Sequence, residues 1–304
     1  MLDCARMKAD SPSETAAGVA LSMVASALDP VTRPLFAAPD EPYFEWFIEE
    51  HSEGARKQLE GLKSEETAPL MAFLRESMAP GAALFTLLRK LFIEREVRAA
   101  LQAGAEQVVV LGGGYDPLTL RLQRAYPQAR FYELDHPTTQ TIKRRALEKR
   151  QALAPGLSLL PVDFVSESVG EKLLGAPGFR AGVDSVFVCE GVLMYLDPAT
   201  VDQTFELVRR LGGRQTRFVF TFADSHILAT DAHAMRLAKM VKQNGEELRS
   251  SYDPAAMEAF LGERGFRLLT LGGPAALQAQ FLRPHGIDRP VRNLEFAVSA
   301  AIDA

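Results

Sequence analysis

The chain has 304 residues, 47% of them hydrophobic, which suffices for one large α/β domain or two small ones with a substantial core. The net charge of −5 and the lack of a long basic block argue against nucleic acid as a substrate. No apolar run reaches membrane-spanning length and no signal-peptide pattern opens the chain, so we expect a cytoplasmic protein that does not cross a membrane. Two cysteines without a C-x-x-C pattern and five scattered histidines predict neither a disulfide framework nor a metal site.

The first hundred residues or so are predicted to be mainly helical. Tyr43–Ile48 contains four aromatic residues in an acidic setting. We interpret this segment as a helix packed on the core, and the alternative is a lid that excludes water from a substrate. Residues 85–101 predict a strong amphipathic helix that enters the core and carries four basic residues: Arg89, Lys90, Arg95 and Arg98.

The region from Val108 onward predicts a strand, a glycine turn, a helix and a second strand. The apolar run at residues 108–111 is typical of a strand buried on both faces, and three glycines follow it directly. Asp116 and Pro117 then predict a helix start, with the aspartate as N-cap and the proline at the first helical position. Phe131, Tyr132 and Leu134 predict the next strand, and Asp135 ends it.

This turn predicts a nucleoside-containing cofactor. Gly112 and Gly114 form a G-x-G turn in which a ligand can approach the backbone closely, and Asp135 lies where an acid would accept hydrogen bonds from both ribose hydroxyls. A dinucleotide fingerprint needs a third glycine where this chain has Pro117, which weakens a pyrophosphate ligand. S-adenosylmethionine has a ribose and no phosphate, so this turn suffices for it. The alternative is an ordinary turn between strand and helix, whose glycines only relieve steric clashes and bind no ligand.

The remainder of the chain continues the alternation of strands and helices. Five further strands are predicted, at Leu157–Val162, Ser185–Val188, Arg217–Phe222, Phe266–Leu271 and Asn293–Ile302. This pattern divides the chain into a helical cap at residues 1–104 and an α/β core at residues 105–304, with a polar helical insertion at about 225–251. The densest basic run is interpreted as a solvated helix face: Lys143, Arg144, Arg145, Lys149 and Arg150.

Three motifs, VVVLGGGYDP, FYELDHP and CEGVLMYL, resemble the leucine carboxyl methyltransferase family, and especially its bacterial branch of S-adenosylmethionine-dependent methyltransferases. The resemblance extends from SETAAGVALSMVASALDP near the N-terminus to NLEFAVSAAI near the C-terminus. It implies a Rossmann-like class I methyltransferase fold: a mostly parallel seven-stranded sheet whose last strand is antiparallel, with a helical N-terminal cap or lid. The family's turn is usually G-A-G-x-D-T, whereas this chain has Gly113 and Pro117 at the alanine and threonine places.

The resemblance also implies roles at the ends of the strands. The family places an arginine on the helix before the turn to bind the cofactor carboxylate, which selects Arg89, or Arg95 if the register shifts. A solvent-facing arginine is the alternative. In this fold Asp163 would accept from the adenine amine and Phe164 would cover the ring, unless Asp163 caps a helix at 166–174. Glu190 would lie near the cofactor's ammonium and sulfonium groups.

The implied reaction is O-methyl transfer that converts S-adenosyl-L-methionine into S-adenosyl-L-homocysteine. The acceptor would be a carboxylate or hydroxyl of a small molecule, or a protein C-terminus as in the family's eukaryotic members, with Tyr195 and His226 as candidate pocket residues. A carboxylate acceptor needs no base, whereas a hydroxyl does. His226 and Glu190 are the candidates, and neither is assigned as catalytic.

Two alternative functions stay open. One is a nicotinamide-dependent oxidoreductase on the same fold, against which the missing third glycine and the lack of a Tyr-x-x-x-Lys pair argue. The other is a non-catalytic S-adenosylmethionine-binding protein, which would keep Asp135 and Asp163 but lack an acceptor pocket. Fold alone does not decide between them.

Overall fold

A computed structural model describes residues 12–36, 42–78, 80–164, 166–243, 247–291 and 295–303. Within these ranges, the strands form one seven-stranded sheet in the order β3-β2-β1-β4-β5-β7-β6. Their bounds are β1 Gln107–Leu111, β2 Arg130–Asp135, β3 Leu157–Pro161, β4 Ser185–Cys189, β5 Arg217–Ala223, β6 Phe266–Gly272 and β7 Glu295–Ile302. Strand β7 is antiparallel to both of its neighbours, and the other pairings are parallel.

This topology confirms the predicted fold, and the predicted strands end within one or two residues of the observed ones. The predicted start of the last strand at Asn293 lies outside the described residues. Strand β1 is buried along its whole length, as its unbroken apolar run predicts. Val108 and Val110 face one hydrophobic cluster while Val109 and Leu111 face another, so helices cover both sides of the sheet.

The helices lie mainly before and between these strands. In chain order they are α1 Glu14–Leu28, α2 Tyr43–His51, α3 Glu53–Lys63, α4 Ala68–Met78, α5 Ala82–Gln102, α6 Leu118–Ala125, α7 Pro137–Lys149, α8 Val169–Leu174, α9 Pro198–Leu211, α10 Ser225–Thr230, α11 Ala232–Gln243, α12 Met257–Gly262 and α13 Pro274–Leu277. Helices α10 and α11 lie in the segment predicted as an insertion. The proposed domain division at residue 104 stays a prediction.

Helix α5 differs from its prediction as an amphipathic helix. It packs between the sheet on one side and cap helix α1 on the other, so Arg89, Lys90 and Glu96 are buried along with its apolar residues. A helix covered on several sides does not show a simple polar stripe. The buried charges therefore need partners inside the protein.

The aromatic segment of the cap forms helix α2. Tyr43, Phe47 and Ile48 are buried, which confirms the interpretation of a helix packed on the core. Among the described residues, no helix combines the length and the apolar character needed to cross a bilayer.

The basic run on α7 is only partly the solvated face that was predicted. Arg145 and Lys149 form ion pairs with Glu50 of α2, and Lys149 together with Arg145 holds the pKa of that carboxyl below its usual value. Lys143 points inward and is 1% exposed, so its assignment to the solvated face is wrong. Arg145 and Lys149 thus pair α7 with cap helix α2, whereas Lys143 points inward to Glu133 on β2.

Candidate functional site

The candidate site lies at the carboxyl edge of the sheet, where β1, β2 and β4 end beside one another. The amides of Gly112 and Gly113 both donate to the Leu134 carbonyl, which holds the turn against β2. Gly112 has φ +75°, and a Cβ added there would lie 2.4 Å from Val192 Cγ2 in the loop after β4. Gly114 also has a positive φ, of +48°. Both positions therefore require the freedom of glycine.

Gly113 is constrained by a neighbouring side chain and not by its backbone angles. Its φ is not in the positive region, but an added Cβ would lie 3.1 Å from Glu133 Oε2. An alanine here would require the Glu133 carboxylate beneath the turn to shift by a few tenths of an ångström. The glycine at this position, where the family usually has alanine, leaves the Glu133 carboxylate undisturbed.

Glu133 and Lys143 form an ion pair beneath the turn, which we call the β2 pair. Each side chain is 1% exposed, and Nζ lies 2.5 Å from Oε2. The Thr119 hydroxyl donates to the other carboxylate oxygen, and Lys143 also donates to the Asp116 carbonyl at 2.6 Å. Burial raises the pKa of Glu133 against the opposing effect of Lys143. Sequence reasoning missed this pair, although a glutamate inside a buried strand signals a required partner.

Asp135 lies at the end of β2, where the ribose-binding acid is expected. Its Oδ2 accepts from the Gly114 amide at 2.5 Å, and its Oδ1 accepts from the His136 amide at 2.6 Å. Burial raises the pKa of Asp135, against the opposing effect of these two amides. Each carboxylate oxygen has a further lone pair, so Asp135 can still accept from two hydroxyls. Its role in binding ribose stays a prediction.

Helix α6 begins one residue later than predicted. Its first residue is Leu118 and its N-cap position is Pro117, not Asp116. The Asp116 carboxylate nevertheless accepts from the Leu118 amide at 2.9 Å through Oδ1, while Oδ2 accepts from Lys90 at 2.7 Å. Asp116 therefore contacts both the start of α6 and helix α5. Burial works against the charge of Asp116, but Lys90 and Arg121 outweigh it and hold its pKa well below the usual range.

Five charged side chains meet between α5 and the ends of the strands, and we call them the α5 cluster: Arg89, Lys90, Asp116, Glu190 and Glu295. Arg89 donates to Glu190 at 2.8 Å and to Glu295 at 2.6 Å. Lys90 lies 2.7 Å from Asp116 and 3.1 Å from Glu190. With every group ionised, two cations face three carboxylates, so the cluster carries a net charge of −1. Burial opposes the charge of Arg89, but Glu295 and Glu190 outweigh it and raise its pKa.

The structure separates the two candidate arginines. Arg95 is 37% exposed, pairs with Glu96 at 2.6 Å and stacks over Phe92 at 5.1 Å. Arg89 is 7% exposed and lies at the carboxyl edge of the sheet, so the alternative of a solvent-facing Arg89 is wrong. Its Nη2 atom has no hydrogen-bond partner in the described part of the chain and lies beside Gly191. Arg89 therefore keeps donors for a further anion, and its role in binding the cofactor carboxylate stays a prediction.

Asp163 and Phe164 lie just after β3, separated from its last residue by Val162. Asp163 accepts from the Ser166 hydroxyl at 2.7 Å, and its amide donates to Glu167. Helix α8 begins at Val169 with Ser168 as its N-cap, so the alternative that Asp163 caps this helix is wrong. Phe164 is half-buried against the hydrophobic cluster on one face of the sheet. The adenine-binding roles of Asp163 and Phe164 stay predictions.

Tyr195 and His226 lie on the segments that follow the adjacent strands β4 and β5. Tyr195 ends a 3₁₀ turn, Leu193–Tyr195, and is half-buried. His226 is exposed on the first turn of α10, whose start Asp224 caps by accepting from the His226 and Ile227 amides. Their roles in a substrate pocket stay predictions.

The helical cap contacts the turn through Tyr115, which sequence reasoning did not select. Tyr115 is buried, and its hydroxyl lies 2.8 Å from Nδ1 of His51 on α2. Burial and the nearby carboxylate of Asp135 raise the pKa of Tyr115. Ala16 on α1 approaches Gly114, 3.5 Å from a Cβ added there. Helices α1 and α2 thus approach the turn at Gly114 and Tyr115, and an aromatic residue directly after the glycines was the available signal.

Among curated proteins, two bacterial relatives carry the same provisional name, S-adenosyl-L-methionine-dependent methyltransferase. The Bacillus subtilis protein is 28% identical over 186 residues, which cover 59% of this chain and 60% of the relative. The Mycobacteroides abscessus protein is 34% identical over 113 residues, which cover 37% of each chain. The chain spans about half to two thirds of the length of the curated relatives that it matches, from 52% to 63% for the first three.

Two solved structures share the fold. A provisionally assigned methyltransferase from Thermobifida fusca superposes with a TM-score of 0.58 at 20% identity, covering 86% of this chain and 94% of its own. A DUF574 family protein from Streptomyces avermitilis gives a TM-score of 0.57 at 14% identity, covering 86% and 96%. At these identities the similarity establishes the fold alone.

The family itself is established by sequence. Residues 16–209 match the family model described as leucine carboxyl methyltransferase. The match includes the cap from residue 16 onward, the glycine turn, β2 and the loop after β4, and so contains four of the five residues of the α5 cluster. The chain therefore belongs to the leucine carboxyl methyltransferase family.

Proposed function

We propose that this protein is an S-adenosyl-L-methionine-dependent methyltransferase that transfers the methyl group to an oxygen atom. The observation that carries the proposal is the α5 cluster, a net-negative set of buried charges beside a glycine turn at the carboxyl edge of the sheet. Open α/β sheets keep their ligands at this edge. The family match and the names of the relatives support the same cofactor.

The charges of the α5 cluster fit the amino-acid end of this cofactor. S-adenosylmethionine carries a sulfonium, an ammonium and a carboxylate, so its net charge is +1, opposite to that of the cluster. Arg89 would bind the carboxylate with its remaining donors, and Glu190 would lie nearest the ammonium. Opposite net charges favour binding in a site that is largely shielded from water.

The turn fits the nucleoside end. Asp135, which accepts from the Gly114 amide at the end of the glycine turn, would also accept from the ribose hydroxyls. Asp163 and Phe164 would bind the adenine ring. Because the chain supplies acceptors and apolar contacts here, the arrangement suits a nucleoside without phosphates.

The same region disfavours the dinucleotide of an oxidoreductase. A pyrophosphate needs free amides and positive potential at the start of the helix after the turn. Here Pro117 has no amide hydrogen, and Asp116 already accepts from the amide of Leu118. The Asp116 carboxylate thus lies at this helix start, where it would disfavour a phosphate.

The cofactor supplies an activated methyl group, so the main tasks of the protein are to bind, orient and shield the reactants. A carboxylate acceptor, on a small molecule or a protein C-terminus, is ionised at neutral pH and needs no base. A hydroxyl acceptor would need one, and His226 is the more accessible candidate. Glu190 accepts from both Arg89 and Lys90 and would have to give up these bonds to act as a base.

The first test is calorimetric titration with S-adenosylhomocysteine and, in parallel, NADH. We expect binding of the first and none of the second, and binding of NADH alone would overturn the proposal. Transfer of an isotopically labelled methyl group to a panel of carboxylate and hydroxyl acceptors then tests catalysis. Label released by mild alkali indicates a methyl ester, whereas alkali-stable label indicates an ether. Cofactor binding without transfer to any acceptor would favour a non-catalytic binding protein.

A further inference from the structure

We propose that Lys90 sets how strongly this site prefers the positively charged methyl donor over the neutral product. The inference rests on the proposed function, because it concerns S-adenosylmethionine and S-adenosylhomocysteine. It goes beyond that function by assigning a specificity role to a buried lysine that contacts neither the glycine turn's backbone nor Asp135.

Lys90 connects two parts of the candidate site. Its ammonium lies 2.7 Å from Asp116 Oδ2, just after the glycine turn, and 3.1 and 3.3 Å from the two oxygens of Glu190, just after β4. The side chain is 7% exposed, so solvent screens these charges little. A full positive charge thus lies next to the carboxylate expected nearest the ligand's ammonium and sulfonium.

The charge of Lys90 determines the net charge of the α5 cluster. With Lys90 the cluster carries −1, and an uncharged side chain in its place would give −2 while Arg89 kept its pairs with Glu190 and Glu295. The donor differs from the product by the methyl group and one positive charge on sulfur. A change in cluster charge therefore acts on the ammonium and carboxylate that both ligands share, and in addition on the sulfonium that only the donor carries, so it changes the ratio of the two affinities.

Lys90 limits the preference of the site for the donor over the product. At an effective dielectric constant of about 20, one unit of buried charge about 12 Å from the sulfur changes relative affinity by roughly tenfold. Removing Lys90 should strengthen the preference for the donor, and removing the negative charge of Asp116 should weaken it. If Lys90 only held the glycine turn against the loop after β4, its loss would change the Kd of both ligands by the same factor. Lys90→Met and Asp116→Asn would then change these affinities in the same direction.

The test compares four variants with the wild type: Lys90→Met, Asp116→Asn, their combination, and Lys90→Arg as the charge-retaining control. Calorimetry gives the Kd for S-adenosylmethionine and for S-adenosylhomocysteine at one ionic strength, and thermal unfolding shows that each variant is folded. We expect the ratio of product Kd to donor Kd to rise about tenfold in Lys90→Met and to fall by a similar factor in Asp116→Asn. The double variant and Lys90→Arg should return close to the wild-type ratio.

Equal changes for both ligands in Lys90→Met and Asp116→Asn would overturn the inference and leave Lys90 a purely structural bridge. If Lys90→Met does not fold, an unchanged ratio in Asp116→Asn overturns it equally. A wild-type protein that binds neither ligand would refute the proposed function itself. Binding of both ligands with a Kd ratio that the charge substitutions leave unchanged is a different result, which overturns only the inference about Lys90.

Discussion

Two sets of buried charges flank the same glycine turn, and they differ in balance. In the β2 pair, one cation meets one carboxylate, both side chains are 1% exposed, and the carboxylate oxygens are taken by Lys143 and Thr119. In the α5 cluster, three carboxylates share two cations at the edge of the sheet, and Arg89 keeps unused donors. Burial of charge therefore does not by itself indicate a ligand site. We expect a ligand where buried charges are unbalanced at the carboxyl edge of the sheet, because a ligand of opposite charge can complete the set.

The strongest challenge to this comparison is the variant Lys143→Met. It leaves the Glu133 carboxylate buried and unpaired, so we expect a loss of about 3–5 kcal/mol in the free energy of unfolding. Urea denaturation measures this loss. Arg144→Met, which changes an exposed neighbour on the same helix, is the matched control and should cost much less. The double variant Glu133→Gln/Lys143→Met should recover part of the loss, and a single variant as stable as the wild type would show that the pair does not support the turn.

The corresponding change in the α5 cluster should act on ligand affinity. Arg89→Ala removes the proposed partner of the cofactor carboxylate and leaves Glu190 and Glu295 without it, so we expect a loss of about 2–5 kcal/mol in the free energy of binding S-adenosylhomocysteine. Arg95→Ala breaks a partly exposed pair with Glu96 and should cost below about 1 kcal/mol. Calorimetry on the two variants compares them directly. A larger loss in Arg95→Ala would reverse the assignment.

Asp135 tests the nucleoside side of the turn. In Asp135→Ala the ribose hydroxyls lose their acceptor and the Gly114 amide loses its partner, so affinity for S-adenosylhomocysteine should fall by about 1–3 kcal/mol. Asp163→Ala removes a carboxylate at the proposed adenine end of the site and is the matched comparison variant. Unchanged affinity in Asp135→Ala would remove this residue from the proposed site.

The smallest expected effect is a pH dependence. Burial raises the pKa of Asp135 above its usual value of 3.8, so the carboxyl binds a proton earlier on acidification than an ordinary aspartate. Affinity for S-adenosylhomocysteine should therefore weaken as the pH falls through this raised pKa. For stability the sign is opposite: the contribution of Asp135 is present below 3.8 and is lost as the pH rises through the raised pKa. Titrations of the wild type and Asp135→Asn at several pH values measure the difference, and identical profiles would contradict the assignment.

Much of the fold followed from local patterns. The apolar run of β1 predicted a strand buried on both faces, and the observed burial confirms it. The positive φ angles of Gly112 and Gly114 are likewise the kind of backbone that a glycine turn predicts. Asp135 could be placed at the strand end because strand length and turn spacing depend on neighbouring residues in the chain.

The errors share a physical origin. Lys90, on a helix that precedes β1, binds the Asp116 carboxylate, a contact that the predicted N-cap role of Asp116 did not include. Lys143 did not join the solvated face because Glu133 required a cation beneath the turn. Both outcomes depend on contacts between distant parts of the chain, which no local pattern contains.

By itself the sequence determined the alternation of strands and helices, the glycine turn, and the residue types available at the strand ends, because these depend on backbone preference and on the period of apolar residues. The tertiary structure alone decided which charges meet. Arg89 and Glu295 are separated by most of the chain yet form one ion pair. They meet because β7 pairs with β5 in antiparallel orientation, which places Glu295, its first residue, at the carboxyl edge of the sheet beside Arg89 of α5. The net charge of the site is a sum over such long-range contacts, and it exists only once the sheet has formed.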